Sequence, residues 1–275
     1  MTIAARRRVY WVLFVSACLC LAAFVPLYLF LVRMPAEPGF LVKSDAFARF
    51  KLFGLSVSSP RLAGASIGLC ALYASLTLGL ILFSFRKTVS AEVYFYAFWV
   101  LSLGFETLRL AIFGLAAVNG SQYWQILTTK ALLFVRYAGY LSLIASGVYA
   151  AGFRNEKLGM VAVFIHAIAM AIAAAMPVNT GSFATTLELR PGYRELHASF
   201  YAIASVLTVA NFLYAVRSTG EQSYKLVALG CAACLIGRHI LVSQLNPFVV
   251  VTGFALLVTG SWLFISRLHA YYLWQ

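Results

Sequence analysis

An all-α bundle of about eight membrane-spanning helices is the fold this sequence predicts. Hydrophobic residues fill 63% of its 275 positions and charged residues only 11%, where a soluble domain carries roughly 25% charge. Mean hydropathy is +0.88. The apolar residues fall into eight runs, each near the roughly 20 residues that cross a hydrocarbon core. No hydrophilic stretch is long enough for a separate soluble domain, so no attached kinase, cyclase, nucleotide-binding or DNA-binding module is expected.

The first run, 9–32, follows Arg6, Arg7 and Arg8, and Val15-Ser16-Ala17-Cys18 resembles a lipoprotein cleavage box. The run continues far past Cys18, beyond the roughly 7–15 apolar residues of a cleaved signal. An uncleaved signal-anchor helix is expected. Segment 33–61 follows as an outer basic loop, mixing Phe40, Leu41, Phe47 and Phe50 with Lys43, Arg49 and Lys51. Such a segment suits an amphipathic piece on the membrane surface, or one packed on the bundle.

Seven further runs, at 62–85, 93–118, 127–151, 158–177, 197–216, 226–243 and 247–268, make one bundle over 62–268, with a short tail at 269–275. The seventh is the weakest, because Arg238 and His239 fall near its end. Gln244-Leu245-Asn246 and then Pro247 predict a helical hairpin, since Pro favours a helix start. A single kinked or re-entrant element is the alternative. Tyr123-Trp124 and Tyr271-Tyr272-Trp274 sit near helix ends, where an interfacial aromatic belt belongs.

Lys and Arg set the orientation. Arg86-Lys87, Arg154/Lys157 and Arg217/Lys225 share one side with Arg6–Arg8, which predicts both termini in the cytoplasm of a bacterial inner membrane. The five basic residues of 33–61 oppose this assignment. A second outer loop, 178–196, holds Glu188, Arg190, Arg194 and Glu195 and is expected to cap the outer face. The net charge of +13 reads as topology signal and contact with anionic lipid, with no nucleic-acid partner. Cys231 and Cys234 form a CxxC inside an apolar helix. With no second pair nearby, they and Cys18, Cys20 and Cys70 read as small buried hydrophobes. No catalytic or metal-binding constellation emerges.

The residues that point to function are charges at membrane depth. Ionisable groups there pair, line a wet cavity or bind something. Arg109 lies nine residues inside the outer end of the third run, and Arg136 nine residues inside that of the fourth, with Glu106 one turn below Arg109. Lys130, His197 and Arg238 lie nearer the outer face, with His239 beside them; Tyr137 and Tyr140 follow Arg136. Two readings stand. Glu106 pairs with one arginine and locks the bundle. Alternatively the surplus of positive charge forms an outward cavity for an anionic small molecule, a lipid headgroup or a partner's acidic side chain. Arginine suits planar oxyanion recognition. In the second reading Arg109 and Arg136 are the anion ligands, Glu106 orients them, and Lys130, His197 and Arg238 line the entrance.

No cofactor is expected; His197 and His239 are the only pair at matched depth that a transmembrane haem could use. Phe105-Glu106-Thr107-Leu108-Arg109 resembles the ExxR of CAAX-type membrane proteases, but the adjacent second glutamate and the histidine motifs are missing. The last two helices carry no lysine for a retinal Schiff base. A transporter would show inverted repeats and broken helices, and 244–247 is the only candidate break.

Leu82-Phe83-Ser84-Phe85-Arg86-Lys87, followed by Tyr94-Phe95-Tyr96-Ala97-Phe98-Trp99-Val100-Leu101-Ser102-Leu103, resembles the membrane part of bacterial seven-helix sensors of the diverse intracellular signalling type. The resemblance covers about 90 residues. It implies an extracytoplasmic N-terminal region, seven helices and a cytoplasmic C-terminus. Those sensors continue into an output domain, whereas this sequence ends at Gln275, so signalling would need a membrane protein partner. The expected function is a non-catalytic ligand-sensing or accessory subunit. A small transporter, a lipid-handling protein and a purely structural subunit are the alternatives.

Overall fold

The computed structural model describes residues 3–33, 49–52, 55–85, 90–153, 157–184, 186–243 and 246–273. Eight helical spans cross the molecule, each long and apolar enough to traverse a bilayer. The chain is a multi-pass all-α membrane protein.

The spans are α1 (Ile3–Arg33), α2 (Ser59–Ser84), the pair α3 (Ala91–Gly104) and α4 (Leu108–Ala117), α5 (Gln122–Ala150), α6 (Leu158–Ala175), α7 (Arg194–Thr219), α8 (Ser223–Ser243) and α9 (Pro247–Leu273). Two small antiparallel hairpins join them. Strand β1 (Arg49–Leu52) pairs with β2 (Leu55–Ser58) before α2, and β3 (Val178–Phe183) with β4 (Leu189–Pro191) between α6 and α7. Successive spans run in opposite directions, so β3–β4 marks one face of the bundle, the hairpin face. The start of α1 and the end of α9 mark the opposite, terminal face.

Most of the expected basic outer loop, 34–48 with 53–54, lies outside the described residues, as do residues 86–89, 154–156, 244–245 and 274–275. What is described of that loop is the β1–β2 hairpin. The expected tail begins inside α9, which runs on to Leu273.

The bundle wears its greasy side outward, as lipid as solvent demands. Val163, Phe164, Val206, Leu213 and Trp262 are exposed on the outer helices. Helix α3 is the centre: Val93, Phe95, Tyr96, Ala97, Trp99 and Val100 are all fully buried there. Ser90 opens α3 by accepting a bond from the Val93 amide, satisfying one of the free N–H groups at the helix start.

Helices α8 and α9 form the antiparallel hairpin expected from Pro247, and both are full spans. Glycines bring them together. A Cβ on Gly237 would stand 2.8 Å from the Gly253 carbonyl oxygen, and one on Gly230 would stand 2.7 Å from that of Gly260. Seven residues separate the glycines on each helix, so two backbone contacts two turns apart fix the register.

Two features depart from the sequence reading. The third span runs continuously over Ala91–Ala117, but Phe105–Thr107 form a 3-10 turn between α3 and α4. Thr107 donates its hydroxyl to the Gly104 carbonyl at 3.1 Å, the backbonding that bends helices. This turn lies mid-span, away from 244–247, the only candidate break in the sequence. In addition, α5 starts at Gln122, because Ser121 caps it through the Tyr123 amide. The polar first turn extends the helix beyond the apolar run, so Arg136 lies fourteen residues in, deeper than expected.

Candidate functional site

Glu106 is wholly buried in the 3-10 turn, and three arginines converge on it. Arg136 of α5 grips it with two bonds, Nε to Oε1 at 3.0 Å and Nη2 to Oε2 at 2.6 Å. Arg238 of α8 donates Nη2 to Oε1 at 3.3 Å. Arg109 of α4 places Nη1 3.5 Å from Oε2. Side chains on a helix lean toward its N-terminus. Arg136 on α5 therefore leans toward the hairpin face and Arg238 on the opposed α8 leans away from it, which lets both reach one carboxylate.

A second carboxylate comes from the β3–β4 hairpin. Glu188 places Oε2 2.7 Å from Arg136 Nη2, and its Oε1 accepts the Thr186 hydroxyl at 3.0 Å. The Thr186 carbonyl accepts Nε of Arg109 at 2.6 Å and Nη2 as well. The expected cap of the outer face is thus tied by two arginines to the middle of the bundle. Three guanidiniums against two carboxylates leave one positive charge among the described residues of this cluster.

Burial alone would raise the Glu188 pKa, but Arg136 and then Arg109 outweigh it and hold the carboxyl below its ordinary value. A depressed folded-state pKa gives stability that is full above the ordinary carboxylate range and lost as pH falls through the lowered value. Hairpin docking is therefore expected to be constant from about pH 8 to about pH 5. A spin label at the exposed Arg190 should show an unchanged line shape across that range and loosen only in stronger acid. Loosening already near neutrality would refute the Arg136–Glu188 contact.

Beside the cluster lies a cleft of about 500 Å³ between α5, α7, α8 and the hairpin. Arg136, Glu188, Arg194, His197, Arg238 and His239 supply its polar wall. Arg238 donates Nη1 to the Tyr140 hydroxyl at 2.8 Å and lies 4.8 Å above that ring's centroid and 5.6 Å from that of Tyr201. His197 Nδ1 is 2.8 Å from the Tyr137 hydroxyl. Two polar atoms of the wall are buried and have no partner among the described residues: Nε of Arg238 and the hydroxyl of Tyr201. Buried donors are nearly always satisfied, so each lacks the acceptor that such a group normally has.

Of the residues singled out by sequence, Arg136, His197 and Arg238 line this cleft. Glu106 and Arg109 are fully buried and hold its wall from within. Lys130 stands elsewhere: it donates to the Ala174 carbonyl at 2.6 Å, where a cation suits the last turn of α6. His239 shares the cleft with His197 but is exposed. Tyr201 and Thr186 carried no signal in the sequence. The five cysteines are free thiols.

A third buried carboxylate, Glu92, lies in the first turn of α3 toward the terminal face. It accepts from Ser90 at 2.9 Å, Tyr272 at 2.7 Å and Tyr224 at 3.2 Å. These bonds fasten α8 and α9 to α3.

No protein family, curated protein or solved structure matches this chain.

Proposed function

We propose that the protein is a ligand-sensing or accessory membrane subunit that recognises an anionic group in the cleft between α5, α7 and α8. The observation that carries this reading is Arg238. Among the described residues it is buried in a cluster with one uncompensated positive charge, and its Nε has no partner there. A buried surplus cation is costly unless something neutralises it. A phosphate or carboxylate oxygen at Nε and at the Tyr201 hydroxyl would complete both groups.

The geometry also gives the ligand a way to be sensed. Glu106 holds Arg136 through two bonds from a wholly buried position, whereas Glu188 holds it through one contact from a surface hairpin. An arriving anion competes with Glu188 for the outer side of Arg136. Displacing Glu188 removes one of the two arginine ties of β3–β4, leaving the Arg109–Thr186 bonds, and loosens the hairpin where a partner can read the change. The basic short loops support placing the hairpin face outside the cytoplasm and both termini within it. The aromatic and basic pattern over 82–103, which resembles seven-helix sensors, supports sensing over simple scaffolding.

The test is equilibrium binding to the purified protein, with inorganic phosphate and succinate as soluble probes and phosphatidic acid as a membrane-borne one, followed by thermal stabilisation. At least one probe should stabilise the protein, and Arg238→Gln should abolish the effect. Glu188→Gln should strengthen binding by removing the competitor. Stabilisation indifferent to both changes would overturn the proposal.

A second reading, a small transporter, has one observation in its favour. The 3-10 turn at Phe105–Thr107 interrupts the regular α-helix at mid-span beside Glu106, and a mid-helix turn of this kind often marks a functional hinge. Anion uptake by the protein alone in liposomes would favour it.

A further inference from the structure

We infer that the anion is carried by a lipid-like amphiphile, which enters the cleft sideways from the bilayer between α7 and α8. This rests on the anion-binding reading above and names the class of its ligand. The shared chemistry is a phosphate or carboxylate head, and the chain attached to it is what the cleft selects.

Three observations carry the inference. The first is the asymmetry of α7. Its buried residues are Ala204, Thr208, Phe212 and Ala215, all in the part of the helix that runs to the terminal face. From Arg194 to Ile203 the helix has no buried residue, and Leu196 and Ile203 are exposed. At the hairpin end α7 meets α5 through His197, Phe200 and Tyr201, while its side toward α8 borders the cleft and leaves a lateral opening.

The second is the lining. Around the polar groups, the cleft is bounded by Ala198 and Ala202 on α7 and by Leu235, Ile236 and Val242 on α8, with Tyr140 and Ser205 as further polar lining. Two alanines keep the α7 side shallow, and Ile236 is exposed at the margin. In a helix with this many apolar exposed side chains, such an opening faces hydrocarbon. Water there would meet little to bond with, whereas an acyl or isoprenoid chain is matched to it.

The third is size and polarity together. A volume of about 500 Å³ lies in the range of sites for sizeable organic ligands, far above the roughly 30 Å³ share of one water molecule. A bare inorganic anion would fill only the Arg238 corner. Arg194 and His239 sit exposed at the rim, where basic side chains meet anionic headgroups.

The experiment uses full-length protein in nanodiscs of zwitterionic lipid. Dioleoyl phosphatidic acid is added in one arm, and glycerol phosphate and inorganic phosphate in the others. Bound species are read by native mass spectrometry. Phosphatidic acid should be retained at one molecule per chain, and Arg238→Gln should weaken its retention by about tenfold or more. Ala202→Trp, at an exposed position, should block phosphatidic acid while leaving the melting temperature unchanged. Equal Arg238-dependent binding of glycerol phosphate or inorganic phosphate, indifferent to Ala202→Trp, would overturn the lipid assignment and leave the anion site standing. Binding of none of the three would overturn both.

Discussion

Glu106→Gln is expected to cost about 3–5 kcal/mol of stability, the usual penalty for breaking a buried ion pair. The carboxylate is wholly buried and is approached by Arg136, Arg238 and Arg109. Glutamine keeps the shape but removes the charge, so three guanidiniums in one buried cluster are left with Glu188 alone. The melting temperature in mild detergent, followed by tryptophan fluorescence, should fall sharply, and much of the protein should be lost during extraction. Glu188→Gln provides the contrast: its side chain is 18% exposed and the group is bound to one arginine, so the loss should be a small fraction of that at Glu106. Equal losses at the two positions would show that the cluster has no buried anchor.

Gly237→Val should be nearly as damaging, for a steric reason. A Cβ at Gly237 would stand 2.8 Å from both the Gly253 carbonyl oxygen and the Leu257 amide nitrogen. Those are backbone atoms, which no rotamer change can move. Overpacking of this kind costs about 1–3 kcal/mol, and separating α8 from α9 also shifts Arg238, the next residue on α8. The variant should therefore lose stability and anion binding together. Gly159→Ala is the control, since nothing lies within 4 Å of its Cβ position. It should be neutral or slightly stabilising. Equal effects of the two substitutions on melting temperature would refute the glycine contact between α8 and α9.

The spans were legible in the sequence because bilayer thickness acts on one segment at a time. Each helix has to be apolar over a fixed length, and that is a local property. The charged residues were legible for the same reason: Glu106, Arg109, Arg136 and Arg238 each break an otherwise apolar run. Their mutual geometry was not. Positions 106, 136, 188 and 238 meet only because α4, α5, α8 and the β3–β4 hairpin pack together, and no periodicity encodes that. Lys130 looked like part of the cluster from its depth alone, yet depth says nothing about direction, and its side chain serves the end of α6. The 3-10 turn escaped because its sequence, Phe-Glu-Thr, contains neither Pro nor Gly; the Thr107 hydroxyl bonds back to the Gly104 carbonyl there. Glu92 passed unnoticed because it falls at a helix start, where an acidic residue is ordinary, and its partners Tyr224 and Tyr272 are distant in the chain.

The central claim is that the cleft beside Arg238 holds an anion. Native mass spectrometry of the protein, extracted gently from its own membrane, tests this most directly when wild type and Arg238→Gln are compared. A small anionic mass should be bound one to one in the wild type and be missing from the variant, which should still run as a folded, monodisperse protein. A wild-type protein that carries no such mass, or a variant that retains it, would contradict the account and leave the arginine cluster as a lock on the bundle.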